Sequence, residues 1–184
     1  MAAPGLPASN RRQIMPAFIT VPLLFVFPAL MAYAAISDLL TMRIGNKLVL
    51  LVIVGFFALA LLIGMPLEQI GVHALTAIVV LLVAFSFFAF GWIGGGDAKL
   101  IAATALWFGF PGALAYLIYA SLLGGSLTLA LLGARRLPLP PQLKFVGWIE
   151  KLHDAKTGVP YGIALAAAGL AVYPTSFVFQ RLIG

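Results

Sequence analysis

Six apolar runs, separated by short polar or glycine–proline breaks, occupy most of the chain. A transmembrane helix needs about 20 mostly apolar residues. The runs are Pro16–Ser37, Leu48–Met65, Gly71–Phe90, Ala98–Phe110, Gly112–Gly133 and Val159–Phe179. The fourth is short and gives only about 20 Å of helix. It has to thin the bilayer, borrow residues from its neighbours, or sit behind a water-filled cavity. Yet Ala98–Gly133 is too long for one straight crossing, and Gly109-Phe110-Pro111-Gly112 is a turn signal. Composition supports the membrane reading. Of 184 residues 63% are hydrophobic and 9% charged, against about 25% charged in a soluble domain. An ordinary soluble domain, a disordered chain and a disulfide scaffold are thereby excluded. With no cysteine, thiolate metal sites, cysteine nucleophiles and iron–sulfur clusters are excluded as well. The expected fold is all-α, a polytopic bundle of six transmembrane helices.

Residues 1–14 read as an N-terminal tail, and 15–184 as a single membrane-embedded domain. Arg11 and Arg12 before an apolar run, with Ala32-Tyr33-Ala34 beyond, suggest a signal peptide. A signal h-region is about 7–15 residues, whereas this run continues from Ile14 to Ile36. A retained first helix is expected.

Charge sets the orientation. With six crossings, one face carries Arg43, Lys47, Lys99, Arg135, Arg136, Lys144, Lys151 and Lys156, and the other Arg11, Arg12 and Arg181. The positive-inside rule puts the first set in the cytoplasm. The net charge of +6 is then a topological signal. The bilayer, not nucleic acid, is the expected partner.

The chain has five acids: Asp38, Glu68, Asp97, Glu150 and Asp154. Asp38 ends the first apolar run and Asp97 begins the fourth. Two runs separate them, so both fall on the basic face. A carboxylate at the hydrocarbon edge is costly and usually functional. Both also read as helix caps, Asp97 well placed as an N-cap. Asp97 follows Gly94-Gly95-Gly96, and glycines allow close backbone approach and positive φ. The same run also reads as a flexible connector.

Gly94-Gly95-Gly96-Asp97, continued by Lys99 and Leu100, resembles the Gly-x-Gly-Asp signature of intramembrane aspartyl proteases, in the form found in prepilin peptidases, the type IV leader peptidases. Asp38 followed by Ile44-Gly45-Asn46 is similar to that family's Asp-x5-Ile-Pro-Asn motif, with Gly45 in the usual proline position. Val159-Pro160-Tyr161-Gly162-Ile163-Ala164 resembles its closing motif. The resemblance covers residues 20–180 and points to the small, single-domain branch of the Flp-type, tight-adherence pilus systems. Larger relatives carry a cytoplasmic insertion with zinc-binding cysteines, which this chain cannot supply. Nothing in the sequence suggests a methyl-donor site.

The resemblance implies an aspartic-type endopeptidase without cofactor or metal, with Asp38 and Asp97 catalytic. Gly94, Gly95 and Gly96 would be the active-site loop, clearing space for an extended peptide. Lys99 and Asn46 would support it. Two close carboxylates share one proton and titrate as a unit, which suits acid–base activation of a water. The implied substrate is a prepilin, a Flp-type pilin or pseudopilin, cut between a basic leader and an apolar helix. The implied location is the bacterial inner membrane, active site facing the cytoplasm.

Other residues have plainer readings. Lys99 biases the pair's charge or snorkels to the interface. Asn46 fixes the loop after Asp38. His73 and His153 have no second ligand at metal spacing. Glu68 is solvated in an outer loop. Tyr116 and Tyr119 are span lining and interface aromatics. In the 134–158 loop, Phe145, Trp148, Ile149 and Leu152 recur at helical spacing, predicting a short amphipathic surface helix. Two other functions fit the same acids: a small transporter or proton-coupled channel relaying ions through Asp38 and Asp97, and a non-catalytic assembly subunit.

Overall fold

The computed structural model describes residues 16–140, 142 and 145–184; the tail, Arg11, Arg12 and Lys144 lie outside them. The described chain is an all-helical membrane bundle. The first run forms α1 (Ala17–Leu24) and α2 (Val26–Thr41). They break at Phe25 because the Pro28 ring lacks a donor and crowds the carbonyl four residues back, that of Leu24. Then follow α3 (Asn46–Leu62), α4 (Leu67–Ala89), α5 (Gly95–Ala105) and α6 (Gly109–Arg135). A short α7 (Gly147–His153) precedes α8 (Tyr161–Val172) and α9 (Phe177–Ile183).

By length and apolar composition three stretches can cross a membrane: Phe18–Thr41, Leu67–Ala89 and Gly109–Arg135. The pair Tyr161–Thr175 and Phe177–Ile183, bent by 48°, makes a fourth. The bend falls at the 3-10 turn Tyr173–Thr175, and Ser176 caps α9 by accepting from the Phe179 N–H at 3.2 Å. Helix α3 is apolar but shorter, at 17 residues, and α5 has only 11. The six runs of the sequence are therefore present as helical segments, but two of them fall short of crossing length.

The short fourth run lies inside the bundle. Helix α5 packs against α3, α4, α6 and α8 and is sheltered from lipid. Ala98, Leu100, Ala102, Ala103, Thr104 and Ala105 are all buried. Small residues let the surrounding helices approach closely. Helix α8 is built the same way, with Gly162, Ala164, Ala166, Ala168 and Gly169 buried against α2, α5 and α6. Trp107 anchors the far end of α5, donating its indole N–H to the Val52 carbonyl at 3.1 Å. The large apolar side chains left exposed, such as Leu82, Leu122 and Leu129, lie on α4 and α6, where lipid would cover them.

Three expectations are corrected. The chain reverses at 106–108, not at Gly109–Gly112: α6 already starts at Gly109, whose φ is +62°, and Pro111 sits in the first turn, where its missing N–H is no loss. Tyr116 is not an interface aromatic. It is fully buried, its ring 5.5 Å from that of Phe108, while Tyr119 is exposed as expected. The amphipathic helix is only Gly147–His153. Phe145 lies before it and is 90% exposed, because Gly147 opens the helix after Val146 in extended conformation.

Candidate functional site

Asp38 stands in the last turn of α2, not after it. The helix ends at Met42 in left-handed conformation (φ 55°), whose N–H donates to the Asp38 carbonyl at 2.7 Å. Thr41 Oγ1 donates to the Ser37 carbonyl at 2.7 Å, and the Ser37 hydroxyl donates to the Arg43 carbonyl at 3.2 Å. These bonds turn the chain sharply towards Ile44-Gly45-Asn46. The Asp38 side chain is buried, and its Oδ2 accepts the Gly162 N–H at 2.7 Å. That bond joins α2 to the first turn of α8. A Cβ at Gly162 would lie 2.8 Å from both Cβ and Oδ2 of Asp38, so no side chain fits there. The sequence displays Gly162 within the closing Val159–Ala164 motif, but spacing alone gives it no role.

Asp97 is in the first turn of α5, three residues after the Gly94 N-cap, so it is not itself the cap. A carboxylate there is favoured by the helix dipole. Two helices, α3 and α4, connect the two aspartates, and both end up at the same end of the bundle. Asp38 and Asp97 line one cavity of about 730 Å³, together with Ile44, Asn46, Gly94 and Tyr161.

The three glycines are needed for closeness and not for positive φ. Gly94 is extended (φ −71°, ψ 146°), and only Gly91 in this loop has positive φ, at 76°. A Cβ at Gly94 would come 2.8 Å from Asp97 Oδ2; at Gly95, 3.1 Å from the Phe88 ring; at Gly96, 3.1 Å from Ile44 Cβ. Gly96 thus lets the first turn of α5 touch the turn after α2. The contact is doubled by Lys99, whose Nζ donates to Asn46 Oδ1 at 3.0 Å. This bond bridges the segments that carry the two aspartates.

Arg135 has more than a topological charge. Its Nε donates to the Leu152 carbonyl at 2.9 Å, and its Nη2 to the Gly158 carbonyl at 2.9 Å and to the Thr157 carbonyl at 3.3 Å. The end of α6 therefore clasps the loop that leads into Val159–Gly162. Tyr161 is held from the same helix, its hydroxyl hydrogen-bonded to Thr128 Oγ1 at 3.1 Å. The remaining candidates lie elsewhere. Glu68 is exposed at the start of α4, at the opposite end. His73 is buried, stacked on Phe56 at 5.3 Å, with Nδ1 2.7 Å from the Leu106 carbonyl, so that nitrogen carries the proton. Among the described residues no three His, Asp or Glu side chains gather as metal ligands.

No curated protein and no solved structure matches the chain. A sequence model described as the type IV leader peptidase family matches residues 25–129, more than half of the chain. The match takes in both aspartates, the glycine loop and the Lys99–Asn46 bridge, and stops short of α8. The chain belongs to the type IV leader peptidase family, membrane peptidases that act on prepilin-like substrates.

Proposed function

We propose that the protein is an aspartic-type endopeptidase that removes the short leader of a prepilin-like substrate, with Asp38 and Asp97 as its catalytic pair. The observation that carries this reading is the shared cavity: two carboxylates from different helices face one space beside a side-chain-free loop. In the cleavage step the ionised member takes a proton from a water as its oxygen attacks the scissile carbonyl carbon. The protonated member hydrogen-bonds the carbonyl oxygen, which gains charge. Collapse of the tetrahedral species breaks the C–N bond, the departing amine takes a proton from the pair, and an acid and an amine are left. The Gly162 N–H on Asp38 fixes that carboxylate's rotamer and leaves its other oxygen for chemistry.

Residues 15–184 then form one domain. In this reading all six apolar runs traverse the bilayer of a bacterial inner membrane, and the buried α5 needs less length because protein surrounds it. The aspartates face the cytoplasm with the basic loops, and the substrate is a Flp-type pilin or pseudopilin. An ion relay would need acids along the membrane depth, whereas Asp38 and Asp97 share one end. Co-expression with a prepilin-like substrate, followed by a gel for leader loss, tests the function. Retained processing with either aspartate replaced by asparagine would refute the aspartic mechanism.

A further inference from the structure

Alongside the aspartate cavity lies a second space, a groove of about 580 Å³ between α4 and α6, floored by α5. Ile93, Asp97 and Tyr161 line both spaces, so the groove meets the cavity at Asp97. Away from Asp97 its walls are mostly apolar, with Val80 and Ala84 from α4 and Ala113, Ala120 and Gly124 from α6. On α6 the lining runs from Phe110 to Gly125, about 22 Å at ~1.5 Å per residue.

Resting on the peptidase reading above, we propose that this groove seats the apolar helix of the substrate and delivers the junction at its cytoplasmic end to Asp97. At membrane depth a peptide must satisfy its own backbone hydrogen bonds, which makes the occupant helical. Small residues on the α6 wall let a helix backbone come close. The length matches about four helical turns, ending where the chain must become extended beside the aspartates. On the other flank α2 and α8 are sealed by the Asp38–Gly162 contact, so a helix cannot enter there. A Cβ at Gly125 would meet nothing within 4 Å, and Ser121 beside it is exposed. Both positions face open space, so they can be altered without disturbing the packed interior.

The chain has no cysteine, which permits a direct test. Ser121→Cys, combined with Asp97→Asn to hold the substrate uncut, is co-reconstituted with a prepilin-like protein carrying single cysteines along its apolar helix, and oxidised. Crosslinks recurring every three to four substrate residues are expected. Tyr119→Cys, exposed on the side of α6 turned away from the groove-lining residues, should give at least tenfold less. Equal crosslinking at both positions, or none at Ser121→Cys, overturns the proposal and leaves the groove to lipid. Gly125→Phe supplies a second measure: kcat/KM should fall at least tenfold for the helix-bearing substrate and stay unchanged for a short peptide spanning the cleavage junction. Equal loss for both substrates, or loss for neither, also overturns it. Crosslinking reads the groove without catalysis. A specific crosslink with no leader removal by the wild-type protein would sink the peptidase reading and keep the helix site.

Discussion

One methyl group at Gly162 tests how closely α8 must approach Asp38. In Gly162→Ala the new Cβ would lie 2.8 Å from Asp38 Cβ and Oδ2 and 3.0 Å from Cγ. Ordinary carbon contacts are about 3.5–4.0 Å, so α2 and α8 must separate by up to about 1 Å. Rotation of the carboxylate cannot relieve this, because Asp38 Cβ is fixed to the α2 backbone. Overpacking of this kind costs about 1–3 kcal/mol. The displaced Gly162 N–H would also lose its 2.7 Å bond to Asp38, worth about 1.5–3 kcal/mol when that carboxylate is ionised. If about 2.7 kcal/mol of this is lost from the transition state, cleavage slows about a hundredfold, at 1.36 kcal/mol per factor of ten. The assay is the initial rate of leader removal in membranes, normalised to the amount of inserted protein. Gly71→Ala is the control, since a Cβ there meets nothing within 4 Å. A Gly162→Ala protein that cleaves as fast as the Gly71→Ala control would refute the reasoning.

Asp38→Asn and Asp97→Asn should each insert normally and reduce leader removal by at least a thousandfold, whereas Glu68→Gln should process at the wild-type rate; a gel of each co-expressed substrate reads this. Lys99→Met and Asn46→Ala each remove the bridge between the two aspartate segments, so both should slow cleavage by about tenfold, and the double variant should be no slower than either alone. Arg135→Lys keeps the charge but not the planar fork that reaches several carbonyls; unchanged topology with a rate lowered about tenfold is expected, and full activity would return Arg135 to a purely topological role. For orientation, a membrane-impermeant thiol reagent applied from outside should label single cysteines at Gln69 and Gly184 but not at Thr41 or Gln142. Labelling at Thr41 would put the aspartates on the wrong side for a leader peptidase.

How much could be read beforehand follows from which forces leave a local trace. Length and apolarity mark Phe18–Thr41, Leu67–Ala89 and Gly109–Arg135, because a helix facing lipid must carry its own hydrophobic surface. Parity then puts Asp38 and Asp97 at one end with no knowledge of packing. Helix ends are less legible. The reversal at 106–108 hangs on Trp107 reaching the Val52 carbonyl, a partner 55 residues away. Proximity is least legible of all. Gly94, Gly96 and Gly162 read as freedom or as motif in the sequence, yet each is where a Cβ would strike Asp97, Ile44 or Asp38. A glycine kept for lack of room and a glycine kept for positive φ are the same letter.

The shortness of α5 connects fold to chemistry. A carboxylate on a lipid-facing helix would have to be drawn to the interface or neutralised. Asp97 avoids that exposure by riding on the helix that other helices surround, and Asp38 by turning inward onto α8. Helices so enclosed need few large apolar side chains, since protein rather than lipid is their solvent. They can be rich in Gly and Ala, as α5 and α8 are. Small residues then bring the backbone close enough for the Gly162 N–H to reach a side chain on α2. Enlarging this interior should therefore disturb geometry before it disturbs insertion. Gly169→Val is a test away from the aspartates. A Cβ there would already sit 3.3 Å from Phe27 and Thr104 and 3.4 Å from Met31, and two further methyl groups have no space to enter. The variant should insert at the wild-type level, because valine is apolar, while its thermal unfolding in detergent falls by several degrees. Unaltered unfolding would mean that α8 is loosely held, and that the Asp38–Gly162 contact is not enforced by packing.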